Sequence, residues 1–172
     1  GDVSRLDRIE ANIDRFAPDC LVVAGDIINW VKAAPVYSRL NRLQVPVLAV
    51  CGNTDPFGQE KRLRDYPNIR SLHLKRLYLG EIPICGIGGT IPVPFRSRIR
   101  LLERGLIRNA GHLVDRQTLL VVHPPPYGTL DRVMGRFSAG SRAVAEILRQ
   151  YRPRVLVCGH IHEHSGSAYL HD

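Results

Sequence analysis

Four uninterrupted apolar runs constrain the fold of this chain more than any other feature of its sequence. They span residues 20–25, 45–51, 118–122 and 155–158. A strand that is covered on both faces has no solvent-facing side chains, so its sequence does not alternate between apolar and polar residues. Helical patterns separate the runs. We therefore predict an α/β fold in which helices cover a central sheet.

The helical patterns have apolar residues on one face. In residues 4–16, Leu6, Ile9, Ile13 and Phe16 form a stripe, and Pro18 ends the pattern. The patterns predict further helices and shorter strands. The helices cover residues 35–43, 96–109 and 141–151; the strands cover 69–74, 76–79 and 82–86, and another begins within 168–170. Glycine and proline content predicts loops over residues 86–94 and 124–137.

Length and composition are typical of one globular domain. The 172 residues can bury a substantial core, and no apolar run approaches the roughly 20 residues of a membrane span. Residue 1 is Gly rather than Met, so we expect a single domain that is truncated at both ends. The four cysteines lack C-x-x-C spacing, so a zinc knuckle is not expected, and buried reduced thiols are favoured over a disulfide. They are Cys20, Cys51, Cys85 and Cys158. We expect a cytoplasmic protein.

The net charge of +8 comes almost entirely from arginine. Arginine can solvate the surface, attract a phosphorylated substrate, or bind nucleic acid, and composition alone leaves all three open. One cluster shares a predicted helix, where a solvated face is the simplest interpretation. It consists of Arg96, Arg98, Arg100, Arg104 and Arg108.

A polar residue follows each of the four apolar runs. These residues are Asp26, Asn53, His123, and His160 with His162. Ligands in open α/β sheets bind beyond the carboxyl ends of the strands, so we expect the five side chains to converge. Each is common in turns by itself, but together they favour a metal site. Imidazole with oxygen ligands suits Mn, Fe, Zn or Co better than Ca.

In their order along the chain, these motifs resemble the calcineurin-like metallophosphoesterases. The matching residues are Gly25-Asp26, Gly52-Asn53-Thr54-Asp55, His123 and Gly159-His160-Ile161-His162. Residues 123–131, Gly140-Ser141 and His162-Glu163 look like a small prokaryotic branch of that family. The resemblance implies a four-layer α/β/β/α sandwich, here without its first strand and without the last strands of its second sheet.

The resemblance also implies roles for the matching residues. Asp26 would bridge two metal ions. Asn53, His123 and His160 would hold the second ion, and His162 the first. Asp55 would orient the site, and is grouped with Asn53 and His160 in the catalytic set. The implied activity is hydrolysis of a phosphomonoester or phosphodiester by a metal-activated water, with two divalent transition-metal ions, Mn favoured over Fe, Zn or Co.

Two departures from the family pattern affect these expectations. The family's first motif, D-x-H, is absent; Gly1 aligns with the glycine that follows it, although Asp2-Val3-Ser4 could also be a degraded copy. Thr54 stands where many members carry a histidine that is thought to protonate the leaving group. Two other functions therefore stay open: a non-catalytic protein-binding scaffold with this fold, and a nuclease-like phosphodiesterase acting on nucleic acid. We expect a phosphate-ester substrate and no membrane partner, and leave homo-oligomerisation open.

Overall fold

The computed structural model describes residues 3–28, 33–56, 58–89 and 103–169, which form two sheets flanked by helices. The first sheet is parallel and has the order β1-β2-β3, with β1 at Leu21–Ala24, β2 at Val47–Val50 and β3 at Ile69–Ser71. The second sheet pairs β4 (Lys75–Leu79) antiparallel with β5 (Ile82–Ile87), which lies parallel to β6 (Leu119–Val122). A short hairpin of β7 (Arg132–Val133) and β8 (Phe137–Ser138) precedes β9 (Val155–Val157), which pairs parallel with β6. The helices are α1 (Val3–Phe16), α2 (Ala33–Asn41), α3 (Gln59–Arg62), α4 (Glu103–Ala110) and α5 (Arg142–Tyr151).

Three separate apolar cores hold these elements in four layers. Helices α1 and α2 pack on the outer face of the first sheet, and α4 and α5 pack on the outer face of the second. The third core lies between the two sheets. Strand β2 shows why its run is apolar throughout: Val47 and Ala49 join the helix-facing core, whereas Leu48 and Val50 join the core between the sheets. The predicted α/β/β/α sandwich is confirmed.

The long predicted elements match the structure, and the short ones account for the differences. The helix predicted over residues 4–16 is α1, but the inclusion of Phe16 in its apolar stripe was wrong, because this last helical residue is exposed. The helix predicted over 141–151 is α5, capped by the Ser141 hydroxyl, which accepts a hydrogen bond from the backbone N–H of Val144. The loop prediction for residues 124–137 was wrong because it contains β7 and the start of β8. The strand predicted over 69–74 ends at Ser71, and α3 was not predicted. Two-residue strands and one-turn helices carry no periodicity that a sequence pattern can detect.

Other predicted features lie partly or wholly outside the described residues. Gly86 and Ile87 belong to β5 rather than to a loop, and residues 90–94 lie outside the description. The helix predicted over 96–109 is described only as α4, in which Leu106 is buried and Arg108 is exposed, as expected for an arginine of the solvated face. Residues 168–169 form no strand. All four cysteines are free thiols, two of them half-buried. Among the described residues, no helix is both long and apolar enough to cross a bilayer.

Candidate metal centre

The carboxyl ends of four strands, two from each sheet, meet at one cleft. Strand β1 leads into Asp26, β2 into Asn53, β6 into His123 and β9 into His160. The ligand atoms of the carboxylate and the two imidazoles all lie within 4.8 Å of one another. The Oδ1 atom of Asn53 lies 2.8 Å from His123 Nε2 and 2.9 Å from His160 Nδ1. The structure thus brings together four of the five residues that were predicted to bind metal.

The ring of His123 is held in one tautomer by the backbone. The residue is only 1% exposed, and its Nδ1 atom lies 2.8 Å from the carbonyl oxygen of Ala24. A carbonyl oxygen can only accept a hydrogen bond, so Nδ1 carries the proton and Nε2 keeps a free lone pair. That nitrogen faces His160 Nδ1 at 3.1 Å and Asp26 Oδ2 at 3.6 Å. His123 is therefore oriented to bind a cation through Nε2.

The atoms of this cluster that could act as metal ligands fit a divalent transition-metal ion. With its proton on Nδ1, the ring of His123 cannot donate a hydrogen bond to Asn53 Oδ1, although the two atoms are 2.8 Å apart. Two lone pairs at that distance repel each other unless a positive charge lies close to both. The set of two imidazole nitrogens, one amide oxygen and one carboxylate is typical of Mn, Fe, Zn or Co sites.

Two of the clustered residues have a strained backbone. Asp26 has φ of 54° and His160 has φ of 73°, a region that residues with a side chain rarely adopt. Around His160, the N–H of Ile161 donates to the carbonyl of Gly159 at 2.9 Å, which closes a γ-turn. Strain of this kind costs on the order of 1–3 kcal/mol and is concentrated at functional sites. Sequence analysis missed it, and the only hint was that each residue follows a glycine.

Gly52 is required by the close approach of two strand ends. A Cβ atom at this position would overlap the backbone nitrogen and the carboxylate of Asp26, and would lie 2.7 Å from Cε1 of His123. Real Cβ atoms do not approach their neighbours so closely, and the backbone of Asp26 cannot rotate away. The absence of a side chain at Gly52 therefore allows the turns after β1 and β2 to touch.

Asp55 stabilises the two turns that carry Asp26 and Asn53. It is fully buried, and its two oxygens accept hydrogen bonds from the N–H groups of Ile28 at 3.0 Å and Gly52 at 2.8 Å. Burial raises the pKa of the Asp55 carboxyl, and the backbone N–H donors oppose that rise. Next to it, the N–H of Thr54 donates to Oδ1 of Asp26 at 2.9 Å. Asp55 therefore joins the turn that carries Asp26 to the turn that carries Asn53.

Comparison with known proteins identifies the family. A sequence model described as calcineurin-like phosphoesterase matches residues 1–164. The chain belongs to the calcineurin-like phosphoesterase family. This membership supports a metal-dependent phosphoesterase in general, since the family consists largely of hydrolytic phosphoesterases that typically use two metal ions.

The fold of this calcineurin-like phosphoesterase is shared with proteins of known structure. Six solved chains match it. One is a crystal structure that superposes with a TM-score of 0.71 at 21% sequence identity, covering 91% of this chain and 78% of the other. That identity shows a common fold alone. No curated protein sequence matches the chain.

The environment of the calcineurin-like centre keeps His160 neutral. Burial lowers the pKa of His160 to about 4, and the nearby His123 and His162 also lower it, whereas Asp26 acts in the opposite direction. An imidazole with that pKa has a free lone pair at neutral pH. His160 is therefore ready to bind metal without first losing a proton.

The fifth predicted ligand, His162, lies beside the compact cluster. It is exposed and begins a one-turn 3₁₀ helix, His162–His164. It lines the same cavity of about 740 Å³ as Asp26, His123 and His160. Its role as a ligand stays a prediction.

Proposed function

We propose that this calcineurin-like phosphoesterase hydrolyses a phosphomonoester or phosphodiester with two divalent transition-metal ions, Mn favoured. The observation that carries the proposal is the convergence of Asp26, Asn53, His123 and His160 at the ends of four strands. These four residues suffice to hold one ion. The second ion would share Asp26 and use His162, which lines the same cavity.

Each side chain at this site would have a different role in hydrolysis. A bound pair of these ions lowers the pKa of water and neutralises charge on the phosphoryl oxygens. Asn53 contributes an uncharged oxygen, so the site keeps a net attraction for an anionic phosphate. The N–H of Thr54 holds one oxygen of Asp26 and leaves the other directed toward His123. His160, neutral at pH 7, binds without competition from a proton.

Thr54 bears on how the leaving group is protonated. Its hydroxyl donates its one proton to the carbonyl oxygen of Ile28 at 2.8 Å. The hydroxyl is therefore committed to the turn and is not available to protonate a leaving group. We infer that water protonates the leaving group. Esters of acidic alcohols, such as p-nitrophenyl esters, would then be the fastest substrates.

The experiment combines metal analysis with hydrolysis. The purified protein, dialysed against Mn²⁺ and freed of unbound ions, is assayed for metal content and for cleavage of p-nitrophenyl phosphate and bis-p-nitrophenyl phosphate. Asp26→Ala and His123→Ala are expected to lose both bound metal and activity. The matched control is His112→Ala, because His112 is exposed and outside the cleft. Wild-type activity in both site variants would refute the assignment.

Nucleic acid is a second candidate substrate, favoured by the net charge of +8. Phosphate contacts by arginine make binding to DNA or RNA weaken steeply with salt. Cleavage of a single-stranded oligonucleotide that falls sharply between 50 and 200 mM NaCl, with no such fall for p-nitrophenyl phosphate, would support it. A protein that binds no metal and cleaves neither substrate would instead point to the scaffold function.

A further inference from the structure

Residues 124–141, which connect His123 to α5, form an excursion of the chain that is held together by its own hydrogen bonds. At its base, Pro126 and Ser141 form a parallel bridge, and the N–H of Tyr127 donates to the carbonyl of Ser141 at 3.0 Å. Between this base and the β7–β8 hairpin, Asp131 is 1% exposed. One of its carboxylate oxygens accepts hydrogen bonds from the N–H groups of Gly128 at 2.9 Å and Gly140 at 3.2 Å. The β7–β8 hairpin forms the tip. The excursion is thus fixed relative to β6 and to His123.

The tip of this excursion is bound to the turn that carries His162. The N–H of Met134, in the hairpin turn, donates to Oε2 of Glu163 at 2.6 Å. The N–H of Arg132 donates to Nδ1 of His164 at 3.3 Å. Both acceptors belong to the 3₁₀ helix His162–His164, so the hairpin contacts this helix at the two residues that follow His162.

Within the part of the chain that the structure describes, that 3₁₀ helix lacks the burial and the capping that stabilise longer helices. None of its three residues is buried, and it has no side-chain cap. A single 3₁₀ turn has weaker hydrogen-bond geometry than an α-helix and is seldom stable by itself. The shorter of the two bonds from the hairpin is accepted by a carboxylate, and hydrogen bonds to charged acceptors are the stronger class. Glu163 is therefore the main link between the excursion and the turn.

We propose that Glu163 is a positioning residue that fixes the turn of His162 against the β7–β8 hairpin. This proposal rests on the proposed function, in which His162 binds the second metal ion. Glu163 itself does not line the cavity that contains Asp26 and His160, and one oxygen of its carboxylate accepts the hydrogen bond from Met134. It acts through His162 by keeping that imidazole at the edge of the cavity that contains Asp26 and His160.

Two substitutions at this position separate the hydrogen bond from the charge. Glu163→Gln keeps an oxygen that can accept the Met134 N–H, whereas Glu163→Ala removes it. The matched control is Glu81→Ala, because Glu81 is also exposed and precedes β5, at the sheet edge opposite the cleft. Each protein is stripped of metal for amide hydrogen exchange of residues 132–138, and is then titrated calorimetrically with Mn²⁺.

In Glu163→Ala, we expect the Met134 amide to exchange on the order of fivefold faster, as for loss of one net hydrogen bond. We expect the weaker of two Mn²⁺ binding steps to lose affinity by a similar factor, with the tighter step unchanged. Glu81→Ala is expected to match the wild type in both measurements. Glu163→Gln is expected to lie between the wild type and Glu163→Ala, because its amide oxygen can accept the same hydrogen bond but carries no negative charge. Unchanged exchange and affinity in Glu163→Ala would overturn the proposal. An equal loss of Mn²⁺ affinity in Glu163→Gln would also overturn it, because the charge rather than the hydrogen bond would then matter. Neither measurement uses hydrolysis, so an inactive protein would refute the proposed function alone.

Discussion

Replacing Asp55 with asparagine tests whether the candidate centre depends on a buried support. Both oxygens of the Asp55 carboxylate accept backbone hydrogen bonds, from Ile28 at 3.0 Å and from Gly52 at 2.8 Å. Asparagine has nearly the same shape but only one acceptor oxygen. Its NH₂ group would face a backbone N–H, donor against donor, in a site that is 0% exposed. The turns that carry Asp26 and Asn53 would lose one of their two links through this side chain.

The expected loss of stability follows from these contacts. One charge-assisted hydrogen bond contributes about 1.5–3 kcal/mol, and an unpaired buried donor costs about 1–3 kcal/mol. Neutralising the group recovers part of this loss, since burial raises the pKa of Asp55 and so disfavours its charged form. We expect the free energy of unfolding to fall by about 3 kcal/mol. For a chain of this size, the corresponding fall in Tm is about 6–12 °C.

Thermal unfolding of the metal-free protein, followed by circular dichroism, measures this change directly. Asp65→Asn is the matched control because Asp65 is exposed, and a surface substitution of this kind changes stability by roughly 0.5 kcal/mol or less. Mn²⁺ titration of both variants then reports the effect on the site, where Asp55→Asn is expected to bind more weakly. A Tm for Asp55→Asn within 2 °C of the control, by our criterion, would refute the reasoning about Asp55.

Two further predictions concern the same cleft. Gly52→Ala is expected to abolish Mn²⁺ binding in a calorimetric titration because the added Cβ would overlap the backbone of Asp26. The control is Gly105→Ala in α4, because nothing lies within 4 Å of the Cβ added there and a helical backbone accepts alanine. The second prediction follows from the pKa of His160, which is lowered from 6.5 to about 4. Between those values the unfolded chain binds a proton that the folded chain does not, so the stability of the metal-free protein should fall as pH drops through that window. The free energy of unfolding, measured by urea denaturation at several pH values, should depend less steeply on pH in His160→Gln than in the wild type. An unchanged dependence on pH would assign the effect to another group.

The sequence predicted the layers of this fold because burial leaves a strong signal in composition. Continuous apolar runs indicated strands covered on both faces, and the observed split of β2 between two cores explains why none of its residues is polar. The 3.6-residue stripe of α1 was equally clear, and it ends one residue before Ala17, as predicted from Pro18. Elements without periodicity, such as the β7–β8 hairpin, left no comparable signal, since side-chain acceptors far along the chain stabilise them.

For the candidate site, the sequence by itself determined which residues are available and that they follow strands. Each apolar run ends in a residue able to bind metal, so the chemistry of the centre was visible before its geometry. Only the tertiary structure decided their arrangement. It set the tautomer of His123 through Ala24, the strained backbone of Asp26 and His160, and the support of two turns by Asp55. It also placed His162 outside the compact cluster, on a turn that is hydrogen-bonded to the β7–β8 hairpin, which lies far from it in sequence. These features depend on contacts between residues far apart in sequence, and such distances become defined only when the two sheets pack against each other.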